Sequence, residues 1–261
     1  MQLAKKSLGQ NFLIDKNIIK KIVNLVNIDN KNIIEIGPGQ GAITNELLKR
    51  NIKSFALIEK DNFLYNNLKL KFLNNKSIQI FNKDILKFDL EKILKKNTII
   101  FGNLPYNISS QILVKILKFN LWPPNLSDII FMFQKELGEK IIGKFKSPNY
   151  GRLSILSNYR LHIEKTFIIS PNCFFPKPKV NSMIIHFKPN KKVGKIKKLE
   201  NLEKVTNILF SNKRKMINKN IKKILTKNQI NRINNLDLNL RPSDIKPEIY
   251  YKITELFEKN L

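Results

Sequence analysis

The sequence predicts an α/β fold in which helices flank a parallel sheet, followed by a small all-α domain. Three observations predict it. Short β-branched runs alternate with helix-forming segments through the first two-thirds of the 261 residues. One run, at 128–133, is apolar without a break, as a strand buried on both faces requires. Beyond a Lys-rich segment at 188–198 containing Pro189 and Gly194, the periodicity is helical only.

The elements follow in order. Ile33-Ile-Glu-Ile36 reads as the first strand, with a helix beginning over 44–50. A second strand at 54–58 leads into a helix over 63–72, and residues 77–81 and 98–101 read as the third and fourth strands. Residues 110–119 are helical, with apolar Ile112, Leu113, Ile116 and Leu117 on one face. The fifth strand, 128–133, precedes helices at 135–145 and 153–160. Strand-like runs at 162–169 and 182–187 predict an antiparallel addition at the sheet edge. Helices are then expected at 202–210, 214–225, 227–233 and 245–257, with Pro242 and Pro247 flanking the start of the last. The predicted domains are 1–189 and 190–261, without internal repeats.

Hydrophobic residues make up 42% of the chain, enough for a real core. The formal net charge of +28 calls for a polyanionic partner, of which nucleic acid is the usual one. Only six of the 48 basic residues are Arg, leaving 42 Lys. Lys, Asn and Ile share A/T-rich codons, so part of the charge reads as a solvated Lys-rich surface. The single cysteine, Cys173, excludes an internal disulfide and a multi-Cys zinc site. His162 and His186 are too few for a histidine metal cluster and lie in apolar, strand-like stretches, as packed or surface histidines do. No apolar run reaches the length of a membrane span, and residues 1–7 lack the apolar core of a signal peptide. A soluble, cytoplasmic protein without bound metal is expected.

Two motifs carry chemistry. The first strand runs into Gly37-Pro-Gly-Gln-Gly41 and then a helix, a turn that lets a ligand approach the backbone closely. Glu59, 22 residues after Gly37 at the end of the second strand, can accept hydrogen bonds from both ribose hydroxyls of an adenosine. Asp84, just past the third strand, can accept the amino protons of an adenine; alone, it would read as a turn or helix cap. A dinucleotide loop has a glycine three residues after its second, where this chain has Ala42. With Glu35 one residue inside the strand end, the pattern suits a cationic ligand better than a diphosphate. S-adenosylmethionine, with its sulfonium and ammonium and no phosphate, fits that pattern.

The fourth strand ends in Phe101-Gly-Asn-Leu-Pro-Tyr-Asn107. An aromatic amine is a poor nucleophile because its lone pair is delocalised into the ring. If the Asn103 side-chain oxygen and the Leu104 carbonyl accept the amine's protons, the nitrogen is drawn toward tetrahedral geometry. Pro105 stiffens the turn and Tyr106 offers a ring face for the base. Alone, the tetrapeptide reads equally as an Asn/Pro turn with a surface tyrosine; the Gly loop two strands earlier favours a site. In Cys173-Phe-Phe-Pro-Lys-Pro-Lys179, Phe174 or Phe175 can close a sandwich on the base, and Lys177 and Lys179 can hold phosphates. Core aromatics before a turn is the alternative.

The chain resembles the ribosomal RNA adenine dimethyltransferase family over nearly its whole length. The resemblance rests on Gly9-Gln-Asn-Phe-Leu13, Glu35-Ile-Gly-Pro-Gly39, Phe101 to Ser109, Gln134-Lys-Glu136 and Tyr150-Gly-Arg-Leu-Ser154. Phe174 with Pro176-Lys-Pro-Lys-Val180, and Phe210-Ser-Asn-Lys-Arg-Lys215, complete it. It implies a Rossmann-like class I methyltransferase sheet and S-adenosylmethionine as donor. It further implies transfer of four methyl groups to two adjacent adenosines in a hairpin near the 3′ end of 16S ribosomal RNA in the small subunit, by a monomer. By position, Asn11, Leu13, Gly37, Gly39, Glu59, Asp84 and Asn103 match the cofactor-contacting set. Asn103, Leu104, Pro105, Tyr106 and Phe174 match the target-base clamp. Asn11 is assigned by the resemblance alone. Gln40-Gly41 and Phe175 depart modestly from the family pattern, and the motif begins early in the chain. Two other readings are a 23S RNA adenine methyltransferase, against which Leu104 and the Gly37-Pro-Gly39 loop argue, and a non-catalytic small-subunit assembly factor, against which the intact Asn103 and Tyr106 argue.

Overall fold

The structure, a computed structural model, describes residues 10–260. Gly9 of the first motif and the N-terminal residues 1–7 lie outside the described residues.

The described chain opens with β1 (Phe12–Leu13) and α1 (Lys16–Val23), whose first turn is capped by Asp15 accepting from the Asn17 and Ile18 amides. A parallel alternation follows: β2 (Asn32–Ile36), α2 (Ala42–Leu47), β3 (Ser54–Glu59), α3 (Asn62–Lys71) and β4 (Ile78–Asn82). After it come β5 (Thr98–Asn103), α4 (Ser109–Leu117), β6 (Leu126–Gln134), α5 (Lys135–Ile141) and α6 (Arg152–Arg160). Then come β7 (Leu161–Ile169), β8 (Phe174–Phe175) and β9 (Ser182–Pro189). The chain ends with α7 (Leu199–Phe210), α8 (Asn218–Ile221), α9 (Lys227–Asn231) and α10 (Pro247–Phe257).

Seven strands form one sheet in the order β4-β3-β2-β5-β6-β9-β7, and β1 pairs with β8 separately. Strands β2 to β6 run parallel to their neighbours, whereas β9 lies antiparallel to β6. The near-continuous burial of β2, β5 and β6 follows from their central position, where both faces are covered. Strand order reverses between β2 and β5, which opens a crevice beyond the carboxyl ends of those strands.

The chain divides into two compact units. The first takes the described residues up to Lys115, with Pro123–Gly138 and Ile163–Pro189. Its core includes Ile33, Phe55, Leu57, Ile99, Phe101 and Met132. His186 is buried there with its Nε2 2.8 Å from Asp128 Oδ1, whereas His162 is exposed. The second unit takes Ile116–Trp122, Glu139–His162 and the residues from Asn190 on. One break falls between Pro189 and Asn190, yet the second unit is larger than a C-terminal tail of helices. It includes α6, because the Tyr159 and Tyr251 rings pack at 4.8 Å and the Tyr251 hydroxyl donates to the Ile155 carbonyl.

Two expectations are corrected, and three elements are added. The Lys-rich segment at 188–198 is not a free linker: Glu258 accepts the Lys197 and Lys198 amides at 2.8 and 3.0 Å, and the Ile196 amide donates to the Tyr159 hydroxyl. The helix expected at 214–225 shrinks to α8, and the Ile217 amide just before it is drawn to the Leu240 carbonyl. Helix α1 and the two-residue strands β1 and β8 were not anticipated; strands that short leave no alternation to read. Among the described residues no helix is long and apolar enough to cross a membrane.

Candidate active site

Sheet register brings the two motifs together. Ile36 stands opposite Gly102, so the Gly loop leaving β2 and the Asn103 turn leaving β5 begin side by side. Gly37, Gly39 and Gly41 all adopt positive φ (67°, 59° and 81°), a conformation side chains resist. A Cβ at Gly37 would lie 3.8 Å from the Asn103 carbonyl oxygen and 4.0 Å from Pro105 Cδ, and one at Gly39 would meet the Phe12 ring at 3.1 Å. Gly102 is constrained by contact instead: a Cβ there would lie 2.6 Å from Leu104 Cδ2.

Between the motifs lies a cleft of about 180 Å³. Asn11, Leu13, Gly37, Gly39, Glu59, Asp84, Asn103, Leu104, Pro105 and Tyr106 all line it. Phe174 does not. It is 3% exposed, in the core opposite Leu13 of β1, while Phe175 is 43% exposed. Alternation along an extended strand sends one ring in and the next out, so of the two rings Phe175 is the one exposed here.

The floor of the cleft is acidic. Glu59 accepts the Gly39 amide on one oxygen (3.1 Å) and the Asp61 amide on the other (2.9 Å), which fixes its carboxylate plane at the end of β3. Burial raises its pKa, a shift those two amides moderate. Glu35 is fully buried; its Oε2 accepts the Thr44 hydroxyl at 2.6 Å, and burial pushes its pKa up to about 8, with the nearby Glu59 charge adding to the rise. Asp84 accepts from Lys60 at 2.9 Å and from the Leu86 amide at 2.9 Å, and the Lys60 hydrogen bond holds its pKa low. Asp84 therefore caps a turn and faces the cleft at once.

The Asn103 turn is braced at both ends. Asn103 Nδ2 donates to the Asn11 carbonyl at 3.0 Å, and because that carbonyl only accepts, Oδ1 is the end left for a ligand. The Tyr106 and Ser182 hydroxyls share a hydrogen bond of 2.5 Å, which ties the ring to the start of β9, and burial raises the phenol's pKa. Sequence reasoning missed Phe12, Thr44, Lys60 and Ser182. Phe12 and Ser182 had a signal, the first inside the Gly9–Leu13 motif and the second two residues past the Pro-Lys-Pro-Lys-Val stretch.

Comparison with known proteins agrees with this geometry. The profile described as ribosomal RNA adenine dimethylase matches residues 1–259. The chain belongs to that family. It is 43% identical over 259 residues to "Ribosomal RNA small subunit methyltransferase A" of Pelagibacter ubique, covering 98% of this chain and 97% of the relative. It is 39% identical over 266 residues to the protein of that name from Mesomycoplasma hyopneumoniae, covering 99% and 98%. Among solved structures, a dimethyladenosine transferase from Plasmodium falciparum superposes with a TM-score of 0.76 at 22% identity, covering 95% of this chain and 98% of the other. The 23S rRNA methyltransferase ErmE gives 0.70 at 21%, covering 95% and 99%. Those two structural likenesses establish the class I methyltransferase fold alone. Membership in the dimethylase family makes this chain an S-adenosylmethionine-dependent methyltransferase of adenine in ribosomal RNA.

The cleft fits that cofactor. Its carboxylates suit a ribose and a positively charged ligand, and the glycine cradle that a Cβ would fill suits close approach of an adenosine. Two outcomes are expected. A carboxyl whose folded pKa lies above its ordinary 4.5 stabilises the fold fully below that pH, and loses the contribution as pH rises toward 8. Denaturant unfolding of the Glu35→Gln variant should therefore fall less between pH 5 and pH 8 than that of the parent, whose extra slope is at most about 1.4 kcal/mol per pH unit; parallel curves would contradict the assignment. Ser182→Ala should lower kcat on ribosomal RNA several-fold while cofactor affinity stays at the parental value, and the loss should not add to that of Tyr106→Phe. Additive losses would mean that the two hydroxyls act separately.

Proposed function

We propose that the protein dimethylates two adjacent adenosines in a hairpin near the 3′ end of 16S ribosomal RNA, acting as a monomer in the cytoplasm on the small subunit or its precursor. The observation that supports this reading best is the Asn103 amide, oriented by the Asn11 carbonyl so that its oxygen remains for a donor. Relatives named for the ribosomal small subunit support the choice of RNA.

In this reading Glu59 accepts the ribose hydroxyls, Asp84 accepts the adenine amine of the cofactor, and Asn11, Leu13, Gly37 and Gly39 shape the adjoining walls. When bound, S-adenosylmethionine supplies an electrophilic methyl group. Asn103 Oδ1 and the Leu104 carbonyl accept the two protons of the target amine, which localises the nitrogen lone pair and aims it along the cleft. Tyr106, tethered through Ser182, holds the base by its ring face. No strong base is needed, since the methylated amine releases its proton to water.

The test is methylation of undermethylated small subunits with labelled cofactor, followed by mapping of the modified bases. Label in two adjacent adenosines near the 3′ end is expected; label confined to large-subunit RNA would refute the reading. Asn103→Ala should lower kcat by roughly 10²-fold or more, the scale for losing one placed polar group at the reacting centre, with cofactor affinity changing far less.

A further inference from the structure

The short β1–β8 ladder sorts two adjacent phenylalanines. Leu13 stands opposite Phe174, and both are 3% exposed in the core. Phe12 stands opposite Phe175. Side chains directly opposed in an antiparallel pair share one face, and successive residues alternate faces. Phe12 lines the cleft and lies over Gly39 of the Gly loop. Leu13 also lines the cleft, but Phe175 projects on the face of the ladder that carries the Phe12 ring, the ring lying over Gly39. It is 43% exposed, does not line the cleft itself, and stands directly across the ladder from Phe12, which does.

Its surroundings are suited to a nucleic-acid strand. Lys177 and Lys179 are exposed two and four residues on, while Pro178 between them is buried and anchors the turn. Val180, five residues on, is 45% exposed, and Ile14, whose amide donates to the Cys173 carbonyl, is 50% exposed. Packing needs no second ring here, because Phe174 already fills the core position.

We infer that Phe175 is the stacking platform for the nucleotide adjoining the target adenine, with Lys177 and Lys179 on the neighbouring phosphates. The assignment rests on the proposed function, since it takes the cleft to be where an RNA base is presented. An aromatic face binds any base, so the platform fixes the strand's path without reading its sequence. Phosphate contacts supply register in the same way. Leu104 and Tyr106 then select the adenine, and Phe175 spreads its neighbour away from it.

The experiment uses undermethylated small ribosomal subunits as substrate. Phe175→Leu should raise KM for the particles about 10-fold, within the range measured for removing one base–aromatic stack, with kcat and cofactor affinity unchanged. Phe175→Tyr, which keeps the ring, should recover most of the affinity. Thermal stability of both variants should match the parent, because the ring is outside the core. Unaltered KM in Phe175→Leu would overturn the assignment, as would equal losses in the two variants. A change in self-association in place of particle affinity would make this face a contact between copies of this chain and would also overturn it. If the parent methylates no small-subunit RNA, the functional reading fails and this inference with it; an active parent beside an unaltered Phe175→Leu sinks the inference alone.

Discussion

Everything in the site depends on how closely two backbones approach at the reversal of strand order. β2 and β5 are hydrogen-bonded neighbours, and both end at the same level. The loop leaving one must pass within van der Waals reach of the turn leaving the other. Gly37 makes that possible through its backbone conformation, while Gly102 leaves room for the Leu104 and Phe131 side chains beneath the turn. The reward for such crowding is distance control. A donor site and an acceptor site built on adjacent strand ends hold their separation as firmly as the sheet holds its spacing, whereas loops from different layers would drift.

The electrostatics run against the protein's composition. A chain with net charge +28 lines its main cleft with Glu35, Glu59 and Asp84. Burial keeps Glu35 largely protonated near neutrality, so the floor is less negative at rest than its residues imply. A cation entering the cleft would favour its ionised form, so the site can gain charge as a ligand arrives. The outer surface does the opposite task, since its exposed lysines offer a broad, weakly directional attraction to polyanions. The cleft thus sets three carboxyl groups beside Lys60 and Lys83, within a chain whose overall charge is strongly basic.

The runs at 33–36, 54–58, 77–81, 98–101 and 128–133 were legible as strands because each is short and mostly apolar, and the run at 128–133 most clearly because it sits in a strand buried in the sheet. Glu59 and Asn103 were legible as site residues because each closes such a run. Contacts across the fold were not. The Asn11 carbonyl that orients Asn103 is a backbone atom, identical in every residue, and 92 residues away. Thr44 on Glu35 and Ser182 on Tyr106 likewise join ordinary residue types through space. The choice between Phe174 and Phe175 needed the register of a two-residue ladder, which periodicity cannot supply. The Lys-rich segment after Pro189 misled for a related reason: composition reported its charge but not that Glu258 would gather its amides.

The pairing of β1 with β8 also sets a timetable. Phe12 and Leu13 are among the first described residues, and their partners come only at 174 and 175. The central strands β2 to β6 can associate from the chain's first half, since each finds its neighbour within a modest span of sequence. The wall formed by residues 11–13 has no partner until the segment around Phe174 has been synthesised and returned across the sheet. Long-range closures of this kind are slow steps in folding. Between the synthesis of Ile112 and that of Phe175 a nascent chain thus lacks this wall of the cleft, and the amide of Asn103 acquires its fixed orientation only when residues 11–13 are fastened by the late strand.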